Sequence, residues 1–203
     1  MKRLSLAFIF VCISLVLAAQ EGIRVEYKGE KPTIADFAWA LLSVPDDDEE
    51  GCIDESENAF KQAFENYRNG TPQEDGETLT VDLKNGFILY ESRYEESLLR
   101  IEMCYWNEAD KKHKLIAYNV ACFFGDKYAQ GQFDGLAFYR YDNATKEMTF
   151  CDDTGFEVEY GTEDGAMVSY SLPRTGKDIT VSYWYENSKK EKVLKWGGRR
   201  FSL

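Results

Sequence analysis

The residues best suited to chemistry lie between Pro45 and Asn58. From Asp46 the chain reads Asp46-Asp47-Asp48-Glu49-Glu50-Gly51-Cys52-Ile53-Asp54-Glu55-Ser56-Glu57. A helix–loop–helix calcium site wants oxygen ligands at loop positions 1, 3, 5 and 12, a glycine at 6 and an apolar residue at 8. Asp46, Asp48, Glu50 and Glu57 fill the ligand positions, Gly51 the turn and Ile53 the apolar one. Two features oppose this. Glu50 is one methylene longer than the usual ligand at its position, and Pro45 interrupts the entering helix just before the first ligand. Ca2+ is the one cofactor this chain invites; the bland alternative is a solvated acidic connector.

Other constellations are sparse. His113 is the single histidine, which excludes a histidine zinc site, and it flanks an expected turn. No nucleophile elbow or cysteine-protease signature accompanies it. Gly197-Gly198-Arg199-Arg200 has neither the length nor the lysine of a phosphate-cradling loop. Paired carboxylates of the glycoside-hydrolase kind, about 5 to 10 Å apart in space, leave no mark in sequence spacing and stay open as an alternative activity. Cys52, Cys104, Cys122 and Cys151 contain no close pair for a metal. They would permit two disulfides, Cys104 with Cys151 among them, or stay as buried thiols.

Aromatic side chains make up 15% of the chain. Tyr105-Trp106, Phe138-Tyr139-Arg140-Tyr141 and Tyr183-Trp184-Tyr185 place rings on both faces of extended segments. One face must be core; the other could stack on sugar rings or dock a protein. Trp106, Trp184, Tyr141 and Tyr185 are the expected ligand-binding residues, with a second covering layer as the competing explanation. Lys189, Lys190, Lys192 and Lys195 form a basic patch that a solubilising edge strand explains.

These residues need a scaffold, and the pattern supplies one. Met1-Lys2-Arg3, the apolar run Leu4–Leu17 and the small residues up to Ala19 read as a signal peptide over 1–19. The chain is thus expected to be exported, periplasmic or extracellular, with no membrane span after cleavage. Residues 20–203 suit a single domain. Loss of Lys2 and Arg3 takes the formal charge from −12 to −14, which argues against nucleic acid and anionic membrane surfaces.

Ile34, Phe37, Ala38, Leu41 and Leu42 recur at helical spacing behind Thr33 and Asp36, a capping-box signal. Phe60, Ala63, Phe64 and Tyr67 mark a second helix stopped at Asn69-Gly70. The helical pair spans 33–69. From 78 to 203 the pattern is strands, with Asn85-Gly86 as the sharpest hairpin signal. The central hairpin runs from Leu98 to Phe124. With Trp106 opposite His113, Met103 meets Ile116, Ile101 meets Tyr118 and Leu99 meets Val120, which puts Cys104 and Cys122 on opposite faces. A second hairpin, Leu136 to Cys151, has Tyr139 opposite Met148 and Arg140 opposite Glu147. Phe156–Tyr160 and Ala166–Leu172 are further strands, and Ile179–Tyr185 with Lys192–Trp196 form the last hairpin.

The sum is α+β: two N-terminal helices packed on a large, mostly antiparallel meander sheet, curved into a sandwich or partial barrel. The expected function is a non-enzymatic exported module binding a glycan or a cell-envelope protein. A carboxylate-based hydrolase and a calcium-stabilised structural envelope protein are the alternatives.

Overall fold

The computed structural model describes residues 22–44, 55–131 and 134–203. The expected signal peptide and most of the acidic loop lie outside them. The fold is α+β, mostly antiparallel sheet with two helices. The helices are α1 (Ile34–Leu42) and α2 (Glu55–Asn69). The strands are β1 (Ile23–Arg24), β2 (Glu77–Asp82), β3 (Phe87–Tyr94), β4 (Ser97–Asn107), β5 (His113–Phe124), β6 (Lys127–Tyr128), β7 (Gly135–Asp142), β8 (Glu147–Phe150), β9 (Met167–Ser171), β10 (Ile179–Tyr185), β11 (Ser188–Trp196) and β12 (Phe201–Ser202).

The first sheet runs β1-β8-β7-β5-β4-β3-β2, with β6 paired to β5, and it curls. The second runs β12-β11-β10-β9. Alternation along β4 and β5 gives the first sheet two apolar faces, and each is covered. Ile101, Met103, Ile116 and Val120 pack beneath Phe37, Phe60 and Phe64 of the helices. Cys104, Trp106, Leu115 and Ala117 face the other way, against Val168, Ile179, Val181 and Phe201. Phe37 meets Tyr105 and Tyr141 edge-on at 5.6 and 5.0 Å. The start of α1 is fixed by the Asp36 carboxylate, which accepts the Thr33 N–H, the return bond of a capping box, and the Thr33 hydroxyl, at 2.7 Å each.

The central hairpin forms, with its register displaced. Asn107 pairs with Lys114 and Trp106 with Leu115, so Met103 meets Tyr118, Ile101 meets Val120 and Leu99 meets Cys122. The reason is local. The Asp110 carboxylate accepts the Lys112 and His113 N–H groups at 2.8 and 3.1 Å, and Lys111 takes φ 60°. These fix the turn one residue later than expected, an Asx-type closure. Each partner thereby moves by an even step, so every side chain keeps its face. The β7–β8 hairpin is displaced in the same way. Tyr139 pairs with Phe150 and Tyr141 with Met148, because Asp142 accepts the Ala144 N–H and Lys146 takes φ 62°. The expected Arg140–Glu147 pair does not form; Arg140 bonds Glu108 at 2.7 Å instead.

Two other expectations need correction. Phe156–Tyr160 is not a strand: Phe156 packs edge-on against Phe138 and Phe201, so the segment covers the second core as irregular chain. Cys104 and Cys151 carry free thiols within that same core, not a disulfide. The Asn85-Gly86 turn is as expected. Gly86 has φ 66°, and a Cβ there would lie 2.6 Å from the Tyr105 ring. Gly86→Ala should lower stability by about 1–2 kcal/mol from the left-handed backbone alone, read by chemical denaturation, with Asn85→Ala as the milder control.

Candidate functional site

Part of the free edge of β9 meets the first sheet through side chains. The Tyr170 carbonyl accepts Asn119 Nδ2–H at 3.0 Å, and the Leu172 N–H donates to Glu102 Oε2 at 3.0 Å. Glu102 and Asn119 are both buried and bonded to each other at 3.2 Å. Burial raises the Glu102 pKa above its ordinary 4.5, partly offset by the Leu172 N–H. Two polar side chains thus satisfy backbone groups that β9 and the residue after it would otherwise bury unpaired.

On the far side of this junction a hollow opens. It is about 300 Å³ in volume, walled by Leu98, Arg100 and Phe123 on the first sheet and by Ser169, Ser182 and Trp184 on the second. A second hollow of about 520 Å³, lined by Lys127, Tyr128, Met167 and Tyr185, shares Trp184 and Lys189 with it. Trp184 borders both. Its indole N–H donates to Ser169 Oγ at 2.8 Å, which fixes the ring. Lys189, its cross-strand partner, places Nζ 4.5 Å from the ring centre. Phe123 and Tyr128 flank the indole at 6.2 and 6.3 Å. Arg100 sits 5.2 Å from the Phe123 ring, held by Glu91 at 2.7 Å. Chemically this is an aromatic surface bordered by serines and by cations, Arg93, Arg100 and Lys189 on the first hollow and Lys127 on the second.

The expected ligand-binding residues separate. Trp184 and Tyr185 are half-buried on the hollows, and the Tyr185 hydroxyl donates to Asp164 at 3.0 Å. Trp106 and Tyr141 are core residues, 4% and 0% exposed, and neither can touch a surface ligand. Trp106 Nε1–H donates to the Lys177 carbonyl at 2.8 Å. The signal that misleads is alternation itself: it marks two faces and cannot say that both are covered. Phe123 and Tyr128, which join Trp184 in space, sit in separate strands and carry no local pattern.

For the proposed calcium loop, Asp46, Asp48 and Glu50 lie outside the described residues, and Glu57 lies on α2. Elsewhere, Glu108, Asp110 and His113 offer ligand atoms within 4.8 Å of one another. His113 Nδ1 lies 2.6 Å from Asp110 and Nε2 lies 3.5 Å from Asp142. Hydrogen bonds from His113 and from the Lys112 N–H hold the Asp110 carboxyl down at about 2. Arg140 already neutralises the buried Glu108. The group is accounted for as the clamp of the β4–β5 turn.

Among the described residues, each hollow above has one carboxylate in its wall, Asp126 in the first and Glu186 in the second, so neither offers the pair a glycosidase needs. Among the same residues no helix is long and apolar enough to cross a membrane. No family model matches the chain, and comparisons with curated proteins and with solved structures return no match.

Proposed function

We propose that the chain is an exported, non-enzymatic binding module that docks a saccharide across Trp184. In this reading the two helices ahead of the meander close one face of the first sheet, and the hollows beside Trp184 are the binding edge. The observation that carries it is the fixed, half-exposed indole shared by two adjoining hollows. A sugar ring presents an apolar face that stacks on such a ring and hydroxyls that pair with polar neighbours. Half-buried Ser171 supplies a neutral partner beside the indole, and Arg100 and Lys189 supply charged donors.

The test is an array of neutral and uronic-acid oligosaccharides probed with the wild type and Trp184→Ala. The variant should bind roughly 30-fold more weakly, the size of a hot-spot loss of about 2 kcal/mol, with a smaller fall in melting temperature than a core tryptophan truncation gives. No retained saccharide, or equal retention by the variant, would sink the reading.

A further inference from the structure

A third hollow gathers cations in a chain of net charge −12. It is about 480 Å³ in volume and lies where the β4–β5 hairpin tip meets the segment before α1 and the β7–β8 turn. Lys31, Lys111 and Lys114 line it with Tyr27, Asn107 and Asn143; among the described residues Glu30 is the one carboxylate in its wall. Among those residues, too, no carboxylate stands within ion-pair distance of any of the three ammonium groups.

Lys114 is the telling member. It occupies the core-facing row of β5 that continues with Ile116, and only 8% of it is exposed. Its ammonium donates to Asn107 Oδ1 and lies 4.8 Å from the Tyr105 ring centre. A neutral oxygen and a ring are poor replacements for water around a buried charge. Burial, and then the charge of Lys31, push the Lys114 pKa below its usual range. An anion in the hollow would relieve both effects at once.

We propose that this hollow binds a phosphate-bearing small molecule, with Lys31, Lys111 and Lys114 as its ligands. Three ammonium groups against Glu30 leave a surplus near two positive charges, which matches a phosphate monoester at neutral pH, about −1.5 to −2. Lysines act as point charges toward a tetrahedral anion, and the described wall holds no arginine fork of the kind that favours a planar carboxylate. The Asn107 and Asn143 amides can donate to further oxygens. The volume exceeds what a bare phosphate fills, leaving room for its organic part.

Phosphorus NMR line broadening and calorimetry with glucose 6-phosphate, inorganic phosphate and glucose separate the cases. Glucose 6-phosphate should bind, glucose should not, and Lys31→Glu should weaken binding at least tenfold. Lys31 is exposed, so this variant tests the site even if Lys114→Met unfolds. Tighter binding of glucose 6-phosphate than of inorganic phosphate supports the proposal as stated. Equal affinity for the two, with the same Lys31 dependence, makes free phosphate the occupant and overturns the organic part of the ligand. No broadening with either, or binding that survives Lys31→Glu, overturns the site.

Discussion

Trp106→Ala should unfold this protein more readily than any aromatic truncation on its surface, lowering stability by about 3–5 kcal/mol. The indole fills the second core against Trp196 at 5.7 Å and Phe201 at 5.1 Å between ring centres. Truncation opens a cavity there and also leaves the Lys177 carbonyl without its donor, and both effects act in the same direction. At roughly 2–4 °C per kcal/mol for a domain of this size, the melting temperature should fall by about 6–20 °C. Trp106→Phe should lose less, because the ring contacts persist while the hydrogen bond does not. The contrast with Trp184→Ala is the point of the experiment. One tryptophan should report on stability and the other on binding. A Trp106→Ala variant that melts like the wild type would mean the two sheets do not share this core.

Glu102→Ala should cost about 2–4 kcal/mol, because it strips the Leu172 N–H of its acceptor and Asn119 of one partner inside the protein. The carboxylate also gives the wild type a pH signature. Its folded pKa is raised above the ordinary 4.5, so the folded state holds the proton more tightly than the unfolded one. Stability is therefore favoured below 4.5 and falls as pH rises from there through the folded value. Glu102→Gln keeps the shape and an acceptor oxygen but cannot ionise. Relative to the wild type, its melting temperature should improve as pH rises across that window. Parallel melting curves for the two proteins between pH 4 and 8 would remove the carboxylate from the account. Asp82 and Asp110 act oppositely: with carboxyls held down at about 2, they favour the fold above 3.8 and lose that effect as pH falls toward 2.

Local patterns are readable where the causes are local. The Thr33–Asp36 capping box, the apolar stripe of α1, the left-handed stop at Gly70 and the Asn85-Gly86 turn depend on neighbours a few residues apart. Face assignment along β4 and β5 is equally readable, since the pleat has period two, and it survives even though the register is displaced. The displacement comes from Asp110 and Asp142 bonding the backbone of their own turns, a choice among nearly equivalent closures that hydrophobic alternation does not resolve.

The candidate sites are less legible, for a different reason. Trp184 can be singled out by type, but its partners Phe123 and Tyr128 come from strands about sixty residues away along the chain, a separation local patterns do not bridge. Trp106 and Tyr141 look like Trp184 in the sequence and are core in the structure. Lys114 gives a faint signal, a charge on the apolar row of β5, while Lys31 and Lys111 give none.

From the sequence alone follow the acidic charge, the α+β composition, the helix limits and which side chains share a strand face. The tertiary structure decided that both faces of the first sheet are covered and that a second sheet meets it through Glu102 and Asn119. It also brought three lysines to one hollow. Periodicity is a property of one segment and its solvent, whereas covering a face, satisfying an open strand edge and gathering like charges each require segments distant in the chain to meet.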